Sequence, residues 1–365
     1  ISPKLEIKFK NKNLFLKSYK NLKVLVTGST GFKGAWLSFW LNYLGSKVVG
    51  VGLRPEKDSI IFQSLNLNKK IKQYYININN FKKLNSVVKK EKPDLIFHLA
   101  AQSIVSLSYE EPISTFETNI LGSLNILETV RKNKINGLVY ITSDKCYLNI
   151  GKKNSYKESD ILGGLDNYSS SKASAEIIFN SYFKSYHVKN YLTTGSTRAG
   201  NVIGGGDFKK DRIVPDVIKA LKSNKKIFIR NPNSTRPWQH VLEPLSGYLI
   251  LGHKLIKREL SSKIEPHWNF GPLRKNCKKV IQIVKLLNIN WKKNKNKIVI
   301  KKSNKFYESQ LLSLNINKAK KELSWQPRLS LYETIKLTTN WYKSYFEKKD
   351  MNKVTIEQIN FFTKK

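Results

Sequence analysis

The sequence predicts an α/β protein with a doubly wound parallel sheet, followed by a smaller mixed α/β C-terminal lobe. Between Lys23 and about Gly206, short apolar runs rich in β-branched residues alternate with longer amphipathic stretches. This alternation is typical of a parallel sheet with helices on both faces. After Gly206 the alternation is lost and prolines become frequent, which indicates a second lobe of different organisation.

The strands and helices of the first part can be placed from these runs. Strands are predicted at Lys23–Thr27, Lys47–Gly52, Tyr74–Ile78, Leu95–Leu99, Leu138–Thr142 and Leu192–Ser196. Two of the helices between them are predicted at Trp36–Leu44 and Leu121–Lys132.

A glycine-rich loop, GSTGFKG over residues 28–34, joins the first strand to a helix predicted to open at Ala35. Glycines in such a loop permit a tight turn, let backbone N–H groups approach a pyrophosphate, and let the helix pack on the strand. The helix N-terminus adds a partial positive charge. In the first strand–helix unit of a long chain, this pattern predicts a Rossmann-type dinucleotide site. Its GxxGxxG spacing is the form seen in short-chain dehydrogenases/reductases.

Four regions follow from this assignment. We expect an N-terminal extension over residues 1–20 and a dinucleotide-binding domain with the catalytic residues over 21–206. A lobe mainly for substrate is expected over 207–345, and a C-terminal tail over 346–365.

The residue after the second strand leaves the choice between NAD and NADP open. An acidic residue there commonly binds the adenosine ribose, but this chain has Arg54, which can favour a 2′-phosphate. Asn77 stands where related enzymes usually have an aspartate facing adenine, and its amide can still form hydrogen bonds. NAD is the expected cofactor, and Arg54 does not exclude NADP.

Tyr168 and Lys172 stand four residues apart in DNYSSSKASAE, so they share one face of a helix. A phenol has a pKa of about 10, and a neighbouring ammonium favours the phenolate and so lowers the pKa of the phenol. The fifth strand ends in the polar run of YITSDKCY, which includes Ser143. Polar residues also mark ordinary strand ends, but Ser143, Tyr168 and Lys172 occur in the order that short-chain dehydrogenases require.

The amino-acid composition limits which binding partners are expected for the chain. The net charge of +40 comes almost entirely from lysine, which is spread along the chain together with abundant Asn and Ile. Because these three residues share A/T-rich codons, a coding bias explains the charge without nucleic acid as a partner. The densest basic run, Trp291–Lys297, is expected to be a solvated loop.

The chain carries no signal for a metal, a disulfide framework or a membrane. Its two cysteines, Cys146 and Cys277, have no metal-ligand spacing. No apolar stretch approaches the roughly 18–20 residues needed to span a bilayer. The N-terminal segment has no uninterrupted apolar core of a secretory signal, so a cytoplasmic location is expected.

Longer stretches resemble one branch of the short-chain family. The matching stretches are VTGSTGFKGAWLSFWL, IFHLAAQSIVSLSYEEP, TNILGSLNILE, YITSDKCY, DNYSSSKASAE, STRAGNVIGGGD, IRNPNSTRPWQHVLEPLSGYL and NFGP. They resemble the CDP-glucose 4,6-dehydratases, nucleotide-sugar enzymes of the extended short-chain dehydrogenase/reductase family. The likeness covers most of Lys23–Gly271 and is looser over 318–327. The TSDK and TRPWQHVLEP blocks are its most specific parts.

The resemblance implies a dehydration that yields a 4-keto-6-deoxy sugar and regenerates the cofactor. Tyr168, assisted by Ser143 and Lys172, would take the proton of the sugar 4-hydroxyl while hydride passes from C4 to the nicotinamide. Asp144 is the candidate acid for the departing 6-hydroxyl. Lys145 stands where related dehydratases have the glutamate that takes the C5 proton. It would act as that base only with a lowered pKa, and would otherwise stabilise the enolate.

The resemblance also implies two sets of binding residues. The cofactor would contact Gly28, Thr30, Gly31, Phe32, Lys33, Gly34, Arg54, Asn77, Ile78, Leu99, Ala100, Ala101, Tyr168 and Lys172. The nucleotide sugar would contact Gln102, Ser103, Arg198, Asn201, Arg212, Arg236, His240 and Asn269. Arg236 is the first choice for the diphosphate, because a guanidinium can donate two hydrogen bonds to phosphate oxygens. A homodimer or higher homo-oligomer is expected.

Two other functions stay open on the residues. An epimerase or reductase on the same scaffold would not need Asp144 and Lys145. A basic nucleic-acid-binding module on a vestigial dinucleotide fold would not explain why Ser143, Tyr168 and Lys172 occur together in order.

Overall fold

The computed structural model describes residues 18–57, 59–151, 154–291, 296–300 and 312–365. Except for residues 18–20, the predicted N-terminal extension lies outside these ranges, and so do residues 292–295 of the predicted basic loop. Among the helices within these ranges, each is too short or too polar to cross a bilayer.

The strands and helices are labelled in chain order. Strands β1 to β13 are Lys23–Thr27, Lys47–Gly52, Lys72–Tyr75, Leu95–His98, Leu138–Ile141, Thr194–Ala199, Val202–Ile203, Ile227–Ile229, Thr235–Pro237, Gln239–His240, His267–Phe270, Cys277–Lys279 and Ile298–Ile300. Helices α1 to α14 are Phe32–Tyr43, Ile60–Ser64, Leu67–Lys70, Phe81–Glu91, Val105–Glu110, Pro112–Phe116, Gly122–Lys132, Asn167–Tyr186, Ile213–Lys222, Leu242–Ile256, Val280–Trp291, Asn317–Leu323, Leu331–Phe346 and Met351–Lys364. A π-helical turn, Glu117–Leu121, joins α6 to α7.

Seven parallel strands form the central sheet in the order β11-β6-β5-β4-β1-β2-β3. The chain proceeds outward from β1 in one direction to β3 and then returns to β4 on the other side of β1. This reversal opens a crevice beyond the carboxyl ends of β1 and β4, where open α/β sheets bind their ligands. The predicted doubly wound, Rossmann-type sheet is confirmed.

Several predicted boundaries differ from the observed ones. β1 and β2 match their predictions, but β3 ends at Tyr75 because its pairing with β2 ends there, and the next residues leave the sheet. β6 begins two residues later than predicted and extends to Ala199. α1 begins at Phe32 rather than Ala35, since the Ala35 amide already donates to the Gly31 carbonyl at 2.8 Å.

Packing on one face of the sheet ties the glycine loop to the second half of the chain. Trp36 and Trp40 of α1 are fully buried. The indole nitrogen of Trp36 donates to the Gly205 carbonyl at 2.9 Å, which anchors α1 to the loop after β7. β11 lies after residue 206 in sequence yet pairs with β6 in the central sheet. The division into a dinucleotide domain and a substrate lobe stays a prediction.

Candidate active site

The glycine loop is shaped by close approaches that exclude side chains. Gly28 has φ +71°, and a Cβ there would lie 2.8 Å from the Ala100 nitrogen. A Cβ on Gly34 would lie 2.0 Å from the Gly28 carbonyl oxygen. The loop therefore presents backbone N–H groups at the start of α1, which suits the pyrophosphate of a dinucleotide.

A cleft of about 610 Å³ opens in front of this loop at the carboxyl ends of the parallel strands. Its lining includes almost all residues predicted for the cofactor, namely Gly28, Thr30, Gly31, Phe32, Lys33, Gly34, Arg54, Asn77, Ile78, Leu99, Ala100, Ala101 and Tyr168. Lys172 is buried and does not belong to the lining. The guanidinium carbon of Arg54 lies 5.2 Å from the centre of the Tyr75 ring. The residues present thus fit a dinucleotide, and their individual contacts stay predictions.

Two local structures bring Ser143 and Tyr168 together. β5 ends at Ile141, and a short 3-10 turn, Asp144–Cys146, follows with the Ser143 hydroxyl accepting from the Lys145 amide at 3.3 Å. Across the cleft, α8 begins behind Asp166, whose carboxylate accepts from the Ser169 amide at 3.0 Å and so caps the helix.

These caps place the side chains of both segments at the same end of the cleft. The Ser143 hydroxyl lies close enough to Tyr168 to act on its pKa. The Ser143 hydroxyl donates to Asp144 Oδ1 at 3.1 Å. Lys145 Nζ lies 6.0 Å from the centre of the Tyr168 ring. The structure therefore gathers Ser143, Asp144, Lys145 and Tyr168 around one point.

Burial reverses the expected shift of the catalytic phenol. Burial raises the pKa of Tyr168 to about 12, although the neighbouring Ser143 hydroxyl acts to lower it. The lowering of the Tyr168 pKa that we expected from Lys172 is therefore not found. Burial and the nearby Lys33 lower the pKa of Lys172 to about 7, so its charge is itself held weakly.

Lys33 faces the catalytic residues as well as the glycine loop. Its Nζ lies 5.9 Å from the centre of the Tyr248 ring. Burial and the neighbouring Arg212 lower the pKa of Lys33 to about 8, while Asp144 acts to raise it. Lys33 was predicted only as a cofactor contact, and its position gives it an electrostatic influence on Asp144 and Lys172.

Asp144 is a buried carboxylate surrounded by cations. Burial raises its pKa, and Lys145, Arg236 and Lys33 oppose that rise, as does the hydrogen bond from Ser143. A carboxyl group with a raised pKa holds a proton more readily, which suits an acid catalyst.

Gly200 provides the space that Asp144 occupies. A Cβ on Gly200 would lie 1.7 Å from Asp144 Oδ2. The Gly200 carbonyl accepts a hydrogen bond from the buried Gln239 side chain at 3.0 Å, which fixes this backbone. Gly200 lies in STRAGNVIGGGD, but its role was not predicted, because a glycine after a strand does not reveal which side chain will pack on it.

Replacing Gly200 with alanine is expected to displace the Asp144 carboxylate and lower turnover about 10²-fold, the cost of moving a catalytic group by about 1 Å. The backbone of Gly200 is outside the left-handed region, so alanine adds no conformational strain there. Steady-state kinetics and a thermal melt would check this. Gly271→Ala is the control, since its Cβ would meet nothing closer than 3.2 Å. Equal kcat for Gly200→Ala and wild type would contradict the assignment.

Four of the predicted substrate residues line the cleft, namely Ser103, Asn201, Arg212 and Arg236. Arg212 Nη1 donates to Asp207 at 2.8 Å, and its Nη2 donates to the Ser103 hydroxyl at 2.6 Å. Arg236 Nη1 donates to the Thr235 carbonyl at 3.1 Å. These contacts hold two guanidinium groups in the lining of the cleft.

The other four predicted substrate residues lie outside the lining, namely Gln102, Arg198, His240 and Asn269. Gln102 donates to the Thr115 hydroxyl at 2.9 Å, and Asn269 accepts from the Tyr147 hydroxyl at 2.8 Å. His240 is fully buried. Arg198 forms a buried ion pair with Glu176 at 2.7 Å. Gln102, Arg198 and Asn269 thus bond to other parts of the protein, whereas His240 accepts from the Leu242 amide at Nδ1 and its Nε2 has no hydrogen-bond partner among the described residues.

Residues that the sequence analysis did not single out also line the cleft. Arg230 and Phe228 are among them. Phe228 is 59% exposed although it lies between the buried Ile227 and Ile229 of β8. Because residues 227–229 are uniformly apolar, no alternation in the sequence could have indicated that this aromatic ring faces outward.

The chain is similar to known nucleotide-sugar enzymes over most of its length. The family model described as GDP-mannose 4,6 dehydratase matches residues 25–338. CDP-glucose 4,6-dehydratase of Salmonella typhimurium is 40% identical over 339 residues, which are 91% of this chain and 94% of that protein. dTDP-D-glucose 4,6-dehydratase of Dictyostelium discoideum is 30% identical over 250 residues, which are 64% of this chain and 56% of that protein.

Solved structures share the fold. dTDP-glucose 4,6-dehydratase of Bacillus anthracis, in complex with NAD, aligns with a TM-score of 0.75 and 23% identity over 91% of this chain and 99% of that one. An epimerase of Methanothermobacter thermautotrophicus aligns with a TM-score of 0.78 and 23% identity over 93% of this chain and 96% of that one. At this identity the similarity establishes the architecture of the sheet and its cleft.

Proposed function

The chain belongs to the GDP-mannose 4,6-dehydratase family, and on this premise we propose that it is a nucleotide-sugar 4,6-dehydratase that converts CDP-glucose to CDP-4-keto-6-deoxyglucose with NAD. The resemblance to CDP-glucose 4,6-dehydratases that the sequence motifs indicated is confirmed by the 40% identity to the Salmonella enzyme. One observation of the site carries the proposal. A buried carboxylate, Asp144, is hydrogen-bonded to the hydroxyl that also contacts Tyr168. A reductase or epimerase needs the hydroxyl pair, whereas a dehydratase also needs an acid beside it.

Each catalytic side chain has a role in this reaction. NAD, held at the glycine loop by Gly28, Gly31 and Gly34, would supply the hydride acceptor for C4 of the sugar and the hydride donor for C6. Tyr168 as phenolate takes the proton of the 4-hydroxyl, and Ser143 orients that hydroxyl by hydrogen bonding. Asp144 gives a proton to the departing 6-hydroxyl. Lys145 either takes the C5 proton or stabilises the enolate by its charge.

The substrate diphosphate would lie against Arg236 and Arg212. Both guanidinium groups line the cleft, and each can donate two hydrogen bonds to phosphate oxygens. Arg212 is at present paired with Asp207 and Ser103, so binding would exchange at least one of those contacts for phosphate.

A substrate panel would test the proposed function. Purified protein with NAD would be incubated with CDP-glucose, dTDP-glucose and GDP-glucose, and the products would be identified by mass spectrometry. We expect CDP-glucose to lose one water without net reduction of the cofactor. An isomeric product of unchanged mass would indicate an epimerase, and net consumption of reduced cofactor a reductase. Either result would overturn the proposal.

We further propose that the enzyme acts in the cytoplasm as a homodimer or larger homo-oligomer. Its two cysteines are free in the structure, which suits a reducing compartment. Exposed apolar side chains occur on α8 and beside α7, including Ile177 and Leu121. Light scattering on the purified protein would give the mass in solution, and a monomer would contradict the oligomer.

A further inference from the structure

Three side chains, Tyr168, Ser143 and Asp144, meet at the end of the cleft. The Ser143 hydroxyl lies close enough to the Tyr168 hydroxyl to act on its pKa, and it donates a hydrogen bond to Asp144 Oδ1 at 3.1 Å. All three line the cleft. They are nevertheless shielded from solvent, with exposed fractions of 8% for Tyr168, 7% for Ser143 and 3% for Asp144.

The dehydration reaction itself sets a proton balance between Tyr168 and Asp144. The sugar loses one proton from its 4-hydroxyl and one from C5. It needs one proton for the oxygen that leaves C6 as water and one at C5 when hydride returns to C6. If the group that takes the C5 proton returns one there, the proton from the 4-hydroxyl remains for the leaving oxygen. Tyr168 receives the first of these protons, and Asp144 must supply the second.

We propose that Ser143 relays the proton of the sugar 4-hydroxyl from Tyr168 to Asp144, which then delivers it to the departing 6-hydroxyl. This relay rests on the proposed function. The phenol gives its proton to the Ser143 oxygen while the Ser143 hydroxyl gives its own proton to Asp144 Oδ1. The C6–O bond then breaks as the carboxyl group protonates the oxygen, and water is released. Asp144 is again a carboxylate, Ser143 a hydroxyl and Tyr168 a phenolate.

The direction of transfer follows from the acidities at the two ends. Burial raises the pKa of Tyr168 to about 12, whereas water has a pKa of about 15.7. Moving a proton from the phenol to a departing hydroxide is therefore favourable, although Asp144 holds it only in passing. Burial raises the pKa of Asp144 and so reduces the free energy needed to place the proton on its carboxylate.

The geometry favours this route over release of the proton to solvent. Ser143 is positioned by the turn that follows β5, where its hydroxyl oxygen also accepts a hydrogen bond from the Lys145 amide at 3.3 Å. Its hydroxyl is thus held between the two groups that exchange the proton. The relay would reset the base in each turnover without opening the cleft to water.

A substrate whose leaving group needs no proton separates the relay from the rest of the reaction. In CDP-6-deoxy-6-fluoroglucose, fluoride leaves C6 without general-acid help. Single-turnover absorbance of the reduced nicotinamide reports its formation by C4 oxidation and its decay after elimination. The variants are Ser143→Ala and Asp144→Asn, with Ser143→Thr as the conservative variant that keeps the hydroxyl.

With CDP-glucose, we expect reduced cofactor to accumulate in Ser143→Ala and Asp144→Asn, with decay at least tenfold slower than in wild type. With the fluoro substrate the accumulation should disappear in both variants. Ser143→Thr keeps the hydroxyl, so its decay rate should differ from that of wild type by the same factor with both substrates. A decay phase of Ser143→Ala that is as fast as in wild type with CDP-glucose, or that is slowed by the same factor with both substrates, would overturn the relay.

A measurement on the wild-type enzyme gives an independent check. In mixtures of H₂O and D₂O, the rate constant of the decay phase should vary non-linearly with the deuterium fraction, because more than one proton moves in the same step. A straight line would overturn the relay. If wild type fails to dehydrate CDP-glucose at all, the proposed function fails, and that outcome is distinct from normal dehydration with a linear dependence.

Discussion

Replacing Tyr168 with phenylalanine is expected to lower the rate of C4 oxidation by about 10²–10⁴-fold, the usual contribution of a general base. The substitution removes the oxygen that contacts Ser143 and keeps the buried ring, so the fold should be retained. Single-turnover formation of reduced nicotinamide measures this step directly. An oxidation rate within about threefold of the wild-type rate would contradict the role of the phenol as the base.

The pH dependence gives this prediction a second form. Because burial raises the pKa of Tyr168 to about 12, the phenolate fraction in the free enzyme increases with pH throughout the neutral range. The wild-type oxidation rate should therefore rise with pH, and the residual rate of Tyr168→Phe should not. Tyr140→Phe is the matched control. The Tyr140 hydroxyl is also buried, donating to the Ala175 carbonyl at 3.2 Å, but it lies outside the cleft lining.

Replacing Glu176 with glutamine is expected to lower the free energy of unfolding by about 3–5 kcal/mol, because it leaves a buried guanidinium without its counter-charge. Arg198 Nη2 lies 2.7 Å from Glu176 Oε2, and both side chains are almost completely buried. The Ser196 hydroxyl also donates to Oε2 at 3.0 Å, and the Thr142 hydroxyl contacts Oε1. Urea unfolding followed by circular dichroism would measure the loss.

The sign of its pH dependence can be stated. Burial acts to raise the pKa of Glu176, but the Arg198 guanidinium and the His267 ring outweigh it and hold the pKa well below the usual range. The carboxylate therefore contributes stability above the pKa of an unfolded glutamate, and that contribution is lost progressively as the pH falls below it. The difference between wild type and Glu176→Gln should shrink in acid.

An exposed ion pair provides the control for this stability effect. Glu128 and Arg131 on α7 are also 2.7 Å apart, but Arg131 is 43% exposed. Glu128→Gln should cost less than about 1 kcal/mol, because water and salt screen exposed pairs. Equal losses for Glu128→Gln and Glu176→Gln would contradict the importance of burial.

Features encoded in short stretches of the chain could be predicted without the structure. β1 and β2 match their predicted bounds, because a buried parallel strand needs a continuous apolar run. The glycine spacing predicted the loop, and the four-residue spacing placed Tyr168 and Lys172 on one helix. The predicted site residues at these positions share the cleft, apart from Lys172, because the ends of parallel strands meet at one edge of a sheet.

Local sequence therefore specified the individual strands, the phosphate-binding loop and the positions of Ser143, Asp144 and Tyr168 within their own elements, since each depends on neighbours within one strand, turn or helix. Long-range packing settled which polar side chains face the cleft, and it turned Arg198 and Asn269 inward. It also set the direction of the pKa shift of Tyr168, because desolvation depends on everything that surrounds a group, including residues far away in sequence.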